Sequence, residues 1–168
     1  CTRFPTRFVS QPSASDTLQS PYPALHAPMH RLGLPGSVGK HGIEITSSNV
    51  SVDLMGFKLI GVAGSLDGVS ATVVSNSVRV ANGTASGWGG SGVNLQSSLV
   101  LSSIVESVVA HGNGASGIAV YSDVVRTCVA SGNTFAGIRA QEASTISDCS
   151  ASTNTDFGFL LEDKVLIS

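Results

Sequence analysis

The sequence predicts an all-β fold: a right-handed parallel β-helix solenoid of about six coils, with an irregular N-terminal segment. Three observations carry this reading. An asparagine stands four residues ahead of a strand-opening glycine three times, at Asn113, Asn133 and Asn154, before Gly117, Gly137 and Gly158. Six glycine-to-apolar steps recur along the chain: Gly42-Ile43, Gly68-Val69, Gly92-Val93, Gly117-Ile118, Gly137-Ile138 and Gly158-Phe159. Their intervals are 26, 24, 25, 20 and 21 residues. Each step opens an alternating stretch, such as Val93 and Leu95 or Ile118 and Val120, and a period of two places these side chains on one face. A repeat of about 20 residues with one turn signal and short strands per copy marks a solenoid.

The elements follow in order. All six prolines (Pro5, Pro12, Pro21, Pro23, Pro28, Pro35) precede residue 40. Proline removes a donor and restricts its neighbour, so residues 1–40 read as an irregular segment or end cap, and residues 41–168 as the β-helix. After each glycine step comes a second short strand, as in Val50-Ser51-Val52-Asp53-Leu54, Ser77-Val78-Arg79-Val80, Leu99-Val100-Leu101 and Ser144-Thr145-Ile146. Several copies add a third, as in Phe57-Lys58-Leu59-Ile60 and Val108-Val109-Ala110. Equivalent strands of successive coils would pair in parallel about 4.8 Å apart, giving a stack of roughly 25–30 Å. The position nine before the strand glycine reads Gly83, Val108, Cys128, Cys149, an interior row that makes the two cysteines neighbours on adjacent coils. Asparagine tolerates the left-handed conformation of a tight corner, and its amide can bond the next coil, so Asn113, Asn133 and Asn154 are expected to form a structural ladder. Trp88 takes the asparagine position in the third coil, within the run Gly87-Trp88-Gly89-Gly90, where the solenoid is expected to be least regular.

Composition narrows the function classes. The 168 residues suit one domain, with 42% apolar and only 12% charged residues and a net charge of −2. Nothing in that balance points to nucleic acid, and no apolar run approaches the ~20 residues needed to span a bilayer. The three cysteines (Cys1, Cys128, Cys149) fit no zinc spacing. His26 and His30 have ligand spacing, but Pro28 lies between them and no third ligand is evident, so no metal site is expected. The run Gly89-Gly90-Ser91-Gly92-Val93-Asn94-Leu95 is similar to a calcium-binding nonapeptide, yet Asn94 stands where a carboxylate is required and the run occurs once. Calcium therefore has no support, and no cofactor is expected. The chain begins at Cys1 and shows no signal peptide, and its last residues, Val165-Leu166-Ile167-Ser168, break off in mid-coil, so further coils are expected in a longer protein.

The runs HGIEITSSNVSVDLMGFKLIGVAGSLDGV, VRVANGTASGWGGSGVNL and ASGNTFAGIRAQEASTISDCSAS resemble bacterial right-handed parallel β-helix repeat proteins of the pectin-lyase-like superfamily. The resemblance covers residues 41 to about 161. It implies an extracellular, cell-surface or periplasmic protein, with polysaccharide as the expected partner and no membrane insertion. Relatives include polysaccharide lyases, galacturonases and alginate epimerases, whose paired acidic motifs have no match here.

The outward row of the first strand reads Glu44, Ser70, Asn94, Ala119, Arg139, Leu160, and the next reads Thr72, Gln96, Tyr121, Gln141, Glu162. No two carboxylates are vertical neighbours in either row, which argues against acid–base catalysis within this segment. The best cluster is Tyr121, Asp123, Arg126, Arg139 and Glu142 on two adjacent coils: a sugar-contacting patch, or cross-coil charge pairing on a solvated face. Trp88 offers either a stacking platform for a pyranose or a plug for a widened corner. His111, in the turn before Asn113, has no carboxylate to orient it as a base. Cys128 and Cys149 are expected as stacked thiols, with a disulfide open if the corner geometry suits. Three roles therefore stand. The first is a carbohydrate-associated module without chemistry of its own. The second is a lyase, hydrolase or epimerase whose active site lies partly outside this segment. The third is a structural stalk or tailspike-like shaft.

Overall fold

The computed structural model describes residues 34–71, 75–96 and 100–168, and strands are the only regular elements among them. Cys1, His26, His30 and the rest of residues 1–33, with Thr72 and Leu99, lie outside the described residues. The chain enters at β1 (Leu34–Pro35). The first coil carries β2 (Ile43–Ile45), β3 (Ser51–Asp53) and β4 (Lys58–Ile60). The second carries β5 (Val69–Ala71), β6 (Ser75–Asn76) and β7 (Arg79–Ser86), and the third β8 (Val93–Leu95), β9 (Val100–Leu101) and β10 (Ile104–His111). The fourth has β11 (Ile118–Tyr121), β12 (Val124–Arg126) and β13 (Val129–Ser131); the fifth β14 (Ala136–Gln141), β15 (Thr145–Ser147) and β16 (Ser150–Ser152). The chain closes with β17 (Phe157–Leu161) and β18 (Leu166–Ile167).

Every pairing is parallel, and the coils stack as a three-faced solenoid. The first face is a six-stranded sheet in the order β17-β14-β11-β8-β5-β2, with Ile43, Val69, Val93, Ile118, Ile138 and Phe159 in one register column. The glycine steps thus mark one strand row. Its six strands enclose about five turns, one fewer than a coil count from the glycines suggests, because each turn needs a strand at both ends. The second face stacks β3, the start of β7, the start of β10, β12, β15 and β18. The third stacks β1, β4, the ends of β7 and β10, β13 and β16. Among the described residues this third face already includes Leu34, and the Gly36 and Gly39 amides also donate to Ile60 and Gly64.

Unequal coil lengths come from the corners, not the faces. Five residues separate Val80 from Ala85, Val105 from Ala110, Val125 from Ala130 and Ile146 from Ala151, and eight separate each of those alanines from the next first-face strand column. The longer second and third coils spend their extra residues between the first and second faces. There β6 and β9 pair as a small separate sheet. The expected second strand Leu99-Val100-Leu101 is therefore corrected: Val100–Leu101 belongs to that protrusion, and Ile104-Val105-Glu106 fills the second face.

The interior is a set of apolar columns. Val69, Val93, Ile118 and Ile138 are fully buried on the first face, Val80, Val105, Val125 and Ile146 on the second, and Ala85, Ala110 and Ala130 on the third. Alanine on the third face leaves room for the asparagines of the next corner, which turn inward. Asn133 Oδ1 accepts from both the backbone and side-chain amides of Asn113, at 3.1 and 2.9 Å, and Asn154 Oδ1 does the same for Asn133, at 3.0 and 2.9 Å. The side-chain amides also donate to the Ala85, Ala110 and Ala130 carbonyls. The expected ladder exists, but its backbone role is corrected. None of the three asparagines has a positive φ; the residues just before them do, Gly112 at 63°, Gly132 at 61° and Thr153 at 52°. The left-handed turn belongs to that preceding residue, which frees the asparagine to bond vertically.

The ladder continues to Trp88, whose backbone amide donates to Asn113 Oδ1 at 3.1 Å. The third coil therefore keeps register at the position expected to be least regular. Its glycines are demanded by close approach: a Cβ on Gly89 would collide with the Ser65 carbonyl, and one on Gly90 with Asp67 Oδ1.

Candidate functional site

The first face carries a polar strip that crosses coils. On a flat parallel sheet, outward side chains of successive coils lie about 4.8 Å apart, close enough for planar groups to bond across coils. Asp67 Oδ2 accepts from Asn94 Nδ2 at 3.1 Å, and Asp67 Oδ1 accepts from the Ser91 amide at 2.7 Å. Asn94 Oδ1 takes the Gln96 amide at 3.1 Å. Gln96 Nε2 donates to Gln141 Oε1 at 2.5 Å and Gln96 Oε1 accepts from Arg139 at 3.2 Å, bridging the coil that carries Ala119 and Tyr121. Gln141 and Arg139 both close on Glu162, Arg139 with two nitrogens at 3.0 Å. Those bonds, first from Gln141 and then from Arg139, hold the Glu162 carboxyl below its usual range. The result is one chain of amides, carboxylates and a guanidinium from the second coil to the last. His41 borders its upper end, its Nδ1 3.1 Å from the Asp67 amide and 3.5 Å from the Asp67 carboxylate.

The residues singled out from sequence do not form one cluster. Arg139 belongs to this strip. Tyr121, at the end of β11, is half-buried in the same row, and Glu142 is half-buried at the corner after β14 with a φ of 42°. Arg126 lies on the second face instead, where it and Arg79 clasp Glu106 from either side, at 2.5 and 2.6 Å. The paired bonds, Arg126 first and then Arg79, hold Glu106 below its ordinary value. This is the cross-coil charge pairing that the same residues also suggested. His111 is the last residue of β10 and exposed, in register with Ser86 and Ser131.

Two expected contact residues are corrected by burial. Trp88 is 2% exposed, and its indole nitrogen donates to the Leu59 carbonyl at 3.2 Å, so the ring fills the core and presents no face to a sugar. Asp123 is also 2% exposed. It is the centre of a second ladder, at the corner between the first and second faces. Ser103 Oγ accepts the Val78 amide at 3.2 Å, Asp123 Oδ1 accepts the Ser103 amide at 2.7 Å, and Ser144 Oγ accepts the Asp123 amide at 3.2 Å. Sequence reasoning missed this ladder and the Asp67–Asn94–Gln96 half of the strip. The available signal was a small polar residue one place ahead of three successive second-face strands, Ser103 before β10, Asp123 before β12 and Ser144 before β15.

Asp123 Oδ2 has no hydrogen-bond partner among the described residues. Burial pushes its carboxyl up to about 6, against the opposing Ser103 and Tyr121 amides. Since the folded value lies above the ordinary 3.8, the folded state holds the proton more tightly between the two. The contribution of this group to stability should therefore be greatest below pH ~4, fall as pH rises through ~6, and level off about 3 kcal/mol lower, while the depressed Glu106 and Glu162 carboxyls act in the opposite sense at low pH. Asp123→Asn keeps the Oδ1 acceptor and carries no charge. It is expected to be about 2 kcal/mol more stable than the parent at pH 7 and to lose this pH dependence. Urea midpoints at pH 4, 5 and 7 measure both effects; an unchanged parent-like slope in Asp123→Asn would assign the dependence to other groups.

Among the described residues, no three His, Cys, Asp or Glu side chains come together as a metal site. What the first face offers, among the described residues, is a row of paired donors and acceptors across several coils. No protein-family model, no curated protein and no solved structure matches this chain.

Proposed function

We propose that this chain is an extracytoplasmic right-handed β-helix repeat module of the pectin-lyase-like kind, associated with carbohydrate and without catalysis of its own. The observation that carries the reading is the strip running through Asp67, Asn94, Gln96, Gln141, Arg139 and Glu162. Amide, guanidinium and carboxylate groups each offer two donors or acceptors in a plane, which suits the hydroxyl and carboxylate pairs of a sugar. A strip that crosses coils fits a long polymer better than a small solute. Each of its carboxylates is already engaged, Asp67 by Ser91 and Asn94, Glu162 by Gln141 and Arg139, which supports binding over acid–base chemistry.

Affinity electrophoresis and calorimetry against pectin, alginate and other uronate-rich polymers, with and without calcium, test this reading. Binding to at least one polymer is expected, weakened about tenfold, or ~1.4 kcal/mol, in Arg139→Ala. Binding that survives Arg139→Ala and Gln96→Ala unchanged would move the site off the first face. Shortened or unsaturated product that disappears in Arg139→Ala would replace the passive module with an enzyme. Silence across the panel together with a trimer in solution would favour the shaft.

A further inference from the structure

Cys128 and Cys149 occupy the same corner of adjacent coils. Arg126 is in register with Ser147 and Val129 with Ser150, so the two cysteines face each other across one strand spacing. Neighbouring strands lie about 4.8 Å apart, inside the Cα separation that a disulfide accepts. Each follows a residue in the left-handed region, Thr127 at 53° and Asp148 at 52°, so both lie at a bend between strands. The Cys149 sulfur accepts the Cys128 backbone amide at 3.4 Å. Both cysteines are free thiols; Cys128 is buried at 1% exposure, whereas Cys149 is only half-buried.

We infer that Cys149 is a peroxide-reactive thiol and Cys128 its resolving partner, together forming a reversible inter-coil disulfide. The asymmetry of the pair assigns the roles. Cys149 is the one a solute reaches, and its sulfur accepts the Cys128 backbone N–H, a contact that favours the thiolate. Both thiols also face carbonyl acceptors, Cys128 those of Val105 and Arg126 at 3.6 and 3.2 Å and Cys149 those of Val125 and Ser147 at 3.7 and 3.1 Å, so what separates the two is the deeper burial of Cys128. In the same direction, the hydrogen bond between the thiols holds Cys149 down at about 7, while that bond and burial push Cys128 up.

The chemistry balances in two steps. The Cys149 thiolate attacks one peroxide oxygen, the O–O bond breaks, and the leaving oxygen departs with the electron pair and takes up a proton, as water when the peroxide is hydrogen peroxide. Cys149 is then a sulfenic acid. The Cys128 sulfur attacks the Cys149 sulfur, the S–OH bond breaks, and the second oxygen leaves as water with the Cys128 proton. The two sulfurs lose two electrons in total, and the peroxide gains them. Closing the bond requires Cys128 to swing from the Val105 carbonyl towards Cys149, a side-chain rotation that leaves the strand pairing in place.

Treatment of the full chain with hydrogen peroxide, followed by acid quenching, tryptic digestion and mass spectrometry, tests the assignment. Cleavage after Arg126, Arg139 and Lys164 puts Cys128 in the peptide 127–139 and Cys149 in the peptide 140–164. The expected product is that pair of peptides joined, lighter by two hydrogens, and separated again by dithiothreitol. In Cys128→Ser, Cys149 is expected to stop at the sulfenic acid and be trapped by dimedone; in Cys149→Ser, Cys128 should stay unmodified. A parent chain that yields no 128–149 cross-link, or one that joins Cys1 instead, would overturn the inference. So would a Cys128 that oxidises as fast without Cys149 as with it.

Discussion

Trp88→Ala is expected to destabilise the solenoid by about 4 kcal/mol. The indole is 2% exposed and is the largest fully buried side chain among the described residues. Its surroundings are built around its absence of competitors. A Cβ on Gly36 or Gly42 would meet the ring at 2.7 Å, one on Gly68 would meet Nε1 at 2.9 Å, and one on Gly61 would collide with the Trp88 backbone. Alanine leaves a void that Gly36, Gly42 and Gly68 have no side chains to fill, so the cavity collapses little on that side. It also strips the Leu59 carbonyl of its donor. Trp88→Phe should recover much of the loss, since a ring still fills the slot and only the N–H is missing. Denaturant midpoints followed by circular dichroism measure this, because Trp88 is the sole tryptophan and fluorescence vanishes with it. Stacked repeats contact only their neighbours, so hydrogen exchange should rise first around residues 42–71, with the coils from Ile118 onward affected least. Uniform loss of protection would contradict that one-dimensional behaviour.

Asn133→Ala is expected to cost about 3 kcal/mol, more than the same change at either end of the ladder. Asn133 is fully buried and serves two coils at once. Its Oδ1 accepts two bonds from Asn113, and its Nδ2 donates to the Ala110 carbonyl at 3.2 Å and to Asn154 Oδ1 at 2.9 Å. Alanine leaves buried donors and acceptors without partners on both sides, and that penalty exceeds the net worth of the bonds themselves. Asn154 is half-buried, so water can replace part of what Asn154→Ala removes, and a loss of about 1 kcal/mol is expected there. Equal midpoints for the two variants would show that position along the ladder does not matter. Asn133→Asp should be worse than alanine at pH 7, because it keeps the acceptor but places an unpaired charge at a fully buried position.

Much of the fold was legible in advance, and the reason is local. Alternation in Val93-Asn94-Leu95 or Ile138-Arg139-Ala140 is written within one strand, and glycine at the step is required where a Cβ on Gly92 or Gly117 would press on the next coil's carbonyl at 2.7 Å. Residues that repeat at the same place in each coil, such as the asparagines, also declare themselves. The candidate site was harder to read, because its contacts join residues whose separation depends on corner length. Arg126 finds Glu106 20 residues back, Gln96 finds Gln141 45 residues on, and Asp67 finds Asn94 across a coil that carries the β6 insertion. No fixed period links such pairs, and membership of adjacent coils places Arg126 near Arg139 in sequence although the two face different ways.

The sequence by itself determined that this chain winds as a parallel β-solenoid, which residues share its first face, and that amides bind its corners, since each property repeats and needs only nearest-neighbour geometry. The tertiary structure alone decided which polar side chains are surface and which are core. Trp88 and Asp123 have the chemistry of exposed contact residues and lie inside because neighbouring coils leave a slot for one and an amide for the other. Burial is a property of what stacks above and below a residue, and that information is held in the other coils.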